Sequence, residues 1–336
     1  MATPPDRTIA LSLSPRDSSR AARLASALAA KSEGQDLLFV SQALILCGLP
    51  YSQTDERRIT REARTARGRV RVTFQAMLDD VPMPFGKDAV LLSYITTLAL
   101  LADSPIVNFA NAKDYMDQFG EDKGGRTYRL FAERWRRLAG LVIAVERYST
   151  GSHDTDLKVV IKNARLPSRS SLMAARSGFE SFVGLQPYYS VTLGTDFWSD
   201  LKATAVPLLL PVMRAFSNRP LAWHFVQYLH WQSYVAQAAA TDYGHPGSAR
   251  VDWAELRMML GSATKHEKQL RRELRAVISD LKLVWPELNA RFDGTTLCIA
   301  PPDNGVLLVE NSEELRNKRV VRQWKRFLAR EARLTL

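Results

Sequence analysis

The clearest hydrophobic pattern begins just after Lys87. Val90, Leu91, Tyr94, Ile95, Leu98 and Leu101 recur at three- and four-residue spacing. That period predicts a core helix of roughly four turns, stopped by Pro105. A shorter helix follows, capped by Asn111, with Tyr115 and Met116 facing inward and Gly120 ending it. A third starts at Arg126, with Phe131, Trp135 and Leu138 on one face and Arg126, Arg129, Glu133, Arg136 and Arg137 on another. Leu141 to Tyr148 then alternates, Thr150 to Asp154 turns, and Leu157 to Ile161 alternates again, which predicts a β-hairpin. A glycine-punctuated turn before an arginine-rich amphipathic helix is the sequence form of a helix-turn-helix. Three helices and a hairpin in that order predict a winged helix.

The same order repeats from about Phe197. Val206 to Phe216 predicts an apolar helix, with Pro207 and Pro211 read as a first-turn proline and a kink. Pro220 opens a helix over Leu221 to Ala238, and Tyr243 to Gly247 turns. Asp252 caps a short helix that ends at Gly261. Thr264 or Ser262 caps the next, Lys265 to Leu281, whose apolar face is Leu270, Leu274, Val277, Ile278 and Leu281. Phe292 to Thr295 is a hairpin turn before Leu297 to Ile299. This predicts a second winged helix.

Elsewhere the pattern is thinner. Residues 1–17 read as a loose tail, Arg20 to Lys31 as helix-prone, and Val70, Val72 and Phe74 as a half-buried strand. Leu49-Pro50-Tyr51 breaks the apolar stretch before it. Residues 164–187 are polar and Ser/Arg-rich, with Leu166 to Ser171 read as loop, and Tyr188 to Leu193 reads as the strand that closes the first sheet. Glu313 to Arg333 has the form of a basic amphipathic helix. The expected fold is α+β and helix-rich. Residues 1–48 form an N-terminal extension, 49–195 and 196–302 two tandem winged-helix domains, and 303–336 a C-terminal basic helix.

Charge changes what this fold is expected to do. A net charge of +11 and a pI near 9.8 favour a polyanionic partner. No apolar run reaches the roughly 20 residues a bilayer needs, and Met1 to Ser19 lacks the apolar core of a signal peptide. A cytoplasmic protein with no membrane partner is expected. Cys47 and Cys298 give neither a disulfide framework nor a zinc spacing. The five histidines form no His-x-His pair of the kind a rolling-circle nickase needs beside its tyrosine. Gly120 to Arg126 lacks the order of a nucleotide-cradling loop, and Asp79-Asp80 and Asp154/Asp156 suggest no defined metal set. A protein without enzymatic activity, cofactor or metal is expected.

The expected partner is double-stranded DNA. Arginine suits a recognition helix because its planar fork bonds guanine O6 and N7 together, or clamps a phosphate. Arg126 and Arg129 stand where such helices reach bases, while Arg136 and Arg137 meet phosphate or pair with acids. Lys265, Lys268, Arg271, Arg272 and Arg275 are the corresponding set in the second unit. Arg61, Arg64 and Arg67 lie in the most basic segment, Arg57 to Arg71, which reads either as an arm tracking phosphates or as a solvated charged face. Gln35, Leu38 and Phe39 fit a sliding-clamp docking segment or, alternatively, a helix contributing Leu38 and Phe39 to the core.

Several short motifs carry a family resemblance. They are Met83-Pro84-Phe85-Gly86, where the family usually shows Leu-Pro-Tyr-Gly; Phe119-Gly120 with Gly124-Gly125-Arg126; Trp253 with Leu260-Gly261-Ser262; and Val284-Trp285-Pro286-Glu287 with Pro301-Pro302. In this order they resemble plasmid replication initiators of the RepA type, from Leu49 to Pro302. The resemblance implies tandem winged helices, acting as monomer or homodimer, that bind repeated sequences (iterons) at a theta-type origin. It also implies assistance in opening the origin, where host helicase is expected to be recruited; the sliding clamp is expected as a partner only through Gln35, Leu38 and Phe39. The alternatives are a winged-helix transcriptional repressor, and a structural RNA- or membrane-associated protein argued only from the C-terminal helix.

Overall fold

The computed structural model describes residues 37–65, 68–109, 112–149, 157–161, 189–243, 247–261 and 267–305. Strand β1 (Leu37–Ser41) is buried along its whole length and runs into a five-residue helix α1 (Gln42–Leu46). β2 (Arg58–Thr65) and β3 (Gly68–Ala76) form a hairpin. Helices α2 (Asp88–Leu101), α3 (Lys113–Phe119) and α4 (Gly125–Ala139) follow, with β4 (Ile106–Phe109) between the first two. β5 (Leu141–Ser149) pairs with β3 and with β6 (Leu157–Ile161), giving an antiparallel sheet in the order β2-β3-β5-β6. Its inner face is the alternate set Val70, Val72, Phe74, Ile143 and Val145, as period-two burial requires.

The second half contains β7 (Tyr189–Thr192), α5 (Thr195–Thr204), β8 (Ala205–Leu209), α6 (Leu210–Phe216), α7 (Pro220–Tyr243), β9 (Ala249–Val251), α8 (Trp253–Leu260), α9 (Glu267–Lys282), β10 (Ala290–Asp293) and β11 (Thr296–Ile299). Its sheet has the order β10-β11-β9. The order helix, strand, helix, helix, strand, strand therefore occurs twice, as α2-β4-α3-α4-β5-β6 and as α7-β9-α8-α9-β10-β11. In the second copy the first strand joins the last, β9 to β11; in the first copy β4 pairs with β7 instead. β7 thus builds a separate ribbon and does not close the four-stranded sheet, as its alternation had suggested.

Two other expectations change. Residues 37–48 are core, not an extension: β1 pairs antiparallel with β8 and lies against α2. Val206 to Phe216 is likewise not one helix but strand β8 followed by α6, with Pro211 in the first turn of α6. Pro207 sits opposite Phe39. Phe39 sends its N–H to Thr97 Oγ1 (2.8 Å), and its carbonyl accepts from the Thr96 hydroxyl (2.8 Å). Those groups point to α2 and away from β8, so the Phe39–Pro207 pair has no ladder bond for the proline to break. A local pattern cannot reveal this, because the partner strand lies far away in sequence.

Helix α7 is the axle of the molecule. Trp223, Phe225, Val226, Tyr228, Leu229, Trp231 and Tyr234 are all buried, and the edge of Phe119 meets Trp223 at 6.1 Å between centroids. One continuous core therefore serves both copies.

Leu38 and Phe39 are 1% and 3% exposed, so their side chains are not available for docking in a sliding clamp, and Gln35 lies outside the described residues. Leu38→Ala is expected to cost about 2–5 kcal/mol in a urea-unfolding measurement. A cost under about 0.5 kcal/mol would show that β1 is peripheral.

Candidate nucleic-acid interface

The first turn is built from a left-handed glycine and a buried ion-pair cluster. α3 ends at Gly120 (φ 63°, ψ 35°), and the Glu121 N–H closes back on the Met116 carbonyl at 2.8 Å. The buried Glu121 carboxylate accepts from Arg134 at 3.0 and 3.1 Å and from Lys87 at 3.0 Å. One helical turn further along, Arg137 grips the buried Asp88 with Nε at 2.7 Å and Nη2 at 2.9 Å. Asp88 also accepts from the Phe85 N–H (2.9 Å). Burial raises the Asp88 pKa, against the pull of Arg137. Arg136 pairs with Asp80.

The arginines of α4 therefore divide. Arg134, Arg136 and Arg137 pair with acids of their own fold, which for Arg136 and Arg137 is the second of the two roles expected of them. Arg126 and Arg129 are exposed in the first turns of the helix. No acid accompanies them there, and the N-cap Gly124 makes no side-chain cap. A side chain at Gly124 or Gly125 would meet nothing within 4 Å, so this helix end faces open space.

The second turn repeats the left-handed glycine without the ion-pair cluster. Asp252 caps α8 by accepting from the Glu255 N–H at 2.8 Å, and Gly261 ends it (φ 57°, ψ 37°). On α9 the predicted apolar face is buried, while Lys268, Arg272 and Arg275 are exposed at i, i+4 and i+7. Arg275 leans over the Phe292 ring at 5.8 Å. Arg271 is half-buried, paired with Glu267 and stacked over Trp253 at 5.2 Å, so it supports the helix more than it faces outward. Lys265 lies outside the described residues.

The basic segment Arg57 to Arg71 is a hairpin, not an arm. Arg57 donates to the carbonyls of Val81 (2.6 Å) and Ala76 (3.0 Å). Arg69 and Arg71 share Glu62, each at 3.1 Å. Arg61 is 5% exposed and points inward, donating to the carbonyls of Leu260 and Gly261. That placement excludes it from phosphate contact and corrects the expectation. Arg64 is exposed, and Arg67 lies outside the described residues. The acids Glu121 and Asp88 went unnoticed in the sequence. An acid after a glycine and another at a helix start look like ordinary turn and dipole residues, and nothing local pairs them with Arg134 and Arg137.

His224 ties α7 to the segment that precedes the first copy. Its Nε2–H donates to the Ile45 carbonyl at 2.7 Å, which leaves Nδ1 to accept from the Tyr51 hydroxyl at 2.7 Å. Gly48 is obligatory here, since a Cβ would lie 2.8 Å from the imidazole. His230, also fully buried, donates from Nδ1 to the Val226 carbonyl at 3.0 Å. Burial pushes the pKa of both rings down to about 4.

No family model and no curated protein matches the chain. The RepA-type resemblance therefore stands on its motifs alone. Two crystal structures of RctB domains 2-3 align with it. One covers 77% of this chain and 96% of that chain, at 10% identity and a TM-score of 0.42. The other covers 78% and 96%, at 9% identity and 0.40. Overlap at that level carries no argument about this chain. Among the described residues no helix is long and apolar enough to cross a membrane.

Because both histidines are neutral when folded and charge near pH 6.5 when unfolded, the unfolded chain binds more protons between about pH 6.5 and 4. Their contribution to stability is complete above that window and is lost as pH falls through it. The slope is at most about 1.4 kcal/mol per pH unit for each ring. Urea midpoints followed over this range should fall, and His224→Gln should remove one ring's share of the slope. An unchanged slope in that variant would refute the assignment.

Proposed function

We propose that the chain is a double-stranded DNA-binding protein that uses α4 and α9 as paired recognition helices, in the manner of a replication initiator that binds an origin. The observation that carries this reading is the start of α4. Arg126 stands exposed in the first turn of the helix, at the positive end of its dipole, with no acid in that turn and two glycines ahead, and Arg129 stands exposed one turn on. A cation in the first turn, as Arg126 is, costs about 0.3–1 kcal/mol. A cation placed against the dipole at one exposed place, while Arg136 and Arg137 accord with it at the other end, marks a site kept for a ligand. Its ligand is an anion: the uncapped N–H groups suit a phosphate, and the two forks suit guanine edges.

α9 offers Lys268, Arg272 and Arg275 in the same role after a second left-handed glycine. The pairing of β9 with β11 after the two helices supports reading the second copy as a winged helix, and the shared element order extends that reading to the first. Two recognition helices on one chain fit repeated or bipartite DNA sites, as iterons are. On this reading the protein binds and positions, catalyses nothing, and acts in the cytoplasm on plasmid DNA, with host helicase recruited to the bound origin.

Selection from random duplexes followed by titration tests the proposal. An enriched sequence is expected. The double substitutions Arg126→Ala with Arg129→Ala, and Arg272→Ala with Arg275→Ala, should each weaken binding to it by about 10–100-fold. They should weaken random DNA much less and reduce the salt slope by about one for each lost phosphate contact. If no sequence is enriched, or if both variants bind as the wild type does, the proposal fails.

A further inference from the structure

Arg61 is a buried cation with no carboxylate partner among the described residues, and the proposed interface does not use it. Its side chain leaves the inner face of the first sheet and passes over the Tyr51 ring at 5.8 Å. It then donates to the carbonyls of Leu260 and Gly261 (3.4 Å for the latter), 199 and 200 residues away in sequence. Those carbonyls are the unsatisfied C-terminal end of α8, where the helix dipole is negative. β2 holds α8 a second time, through a hydrogen bond between the Arg64 backbone and Glu255. Gly261 is shaped to this grip. At φ +57° it favours glycine, and a Cβ there would fall 2.1 Å from the Arg61 guanidinium carbon. The residue that turns the chain from α8 toward α9 is thus also the residue that admits Arg61.

Burying an unpaired guanidinium is costly, and an apolar residue of similar volume would pack at lower cost. The arginine instead provides a directional link between the sheet of the first copy, whose strand β5 follows α4 across Gly140, and the end of α8, the helix against which Arg271 of α9 stacks at Trp253. We propose that Arg61 is a positioning residue that fixes α9 relative to α4, and thereby sets the spacing between the two DNA segments that one chain can grip. This rests on the reading of α4 and α9 as recognition helices. Along B-DNA each added base pair rotates the second segment by about one-tenth of a turn, so a rigid pair of helices accepts one spacing and rejects offsets of a few pairs.

The test uses the full chain and the selected DNA with zero to six base pairs added between its two halves. Wild-type protein should show one optimum, with about ten-fold or greater loss at offsets of two or three pairs. Arg61→Met, checked for folding by thermal melting, should lose affinity at the optimum and flatten the profile to within about three-fold, while its affinity for an isolated half remains at the wild-type level. Arg61→Lys keeps the charge but not the fork, so it should give an intermediate profile. If Arg61→Met does not fold, the lysine variant decides, a broadened profile supporting the link. A wild-type spacing profile in the folded variant overturns the inference and leaves the interface intact. Wild-type protein without sequence preference overturns both.

Discussion

Each of the two glycine turns is held by a buried guanidinium, and the placement of everything exposed follows from that. Past Gly120, Arg134 closes on Glu121, with Lys87 completing the neutralisation. At Gly261 there is no acid, and Arg61 closes instead on the carbonyls that the ending helix leaves open. The short connection Gly120 to Gly124 has little apolar surface of its own with which to fix an angle between α3 and α4. A planar, many-donor cation can fix one, because its bonds are directional and water is excluded.

The two clamps differ in reach. The first is local: Glu121 and Arg134 belong to the turn and to the helix it launches, and Asp88 with Arg137 ties that helix to the start of α2. The second spans the molecule, from β2 to α8. It runs beside the bonds that tie His224 to Tyr51 and Ile45, and the ion pair of Arg147 with Asp200 at 2.9 Å. The copies therefore share one core, with α7 at its centre, and they meet through polar bonds whose geometry is fixed.

The chain discloses its helices well and its long-range pairings poorly. The core helix after Lys87, the caps at Asp252 and Gly261, and the apolar face of α9 follow from period and capping, which are local properties. The strand at Val206 to Leu209 does not, because its partner β1 lies more than 160 residues earlier and was itself read as part of an extension. The arginines show the same limit. Composition makes the segment Arg57 to Arg71 the most basic of the chain, yet Arg61 is the most deeply buried of them. Arg126 and Arg129 could be singled out only because position in a helix is a local property. Whether Arg136 and Arg137 are free depends on Asp80 and Asp88, which sequence spacing alone does not bring near.

Paired recognition by two fixed helices is the central claim, and guanine methylation interference on the selected duplex tests it most directly, because methylation at N7 blocks the arginine fork. The account predicts two separate groups of interfering guanines, and loss of one group only when Arg126 and Arg129 are both replaced by alanine. A single group, or no interference at any guanine, would contradict it.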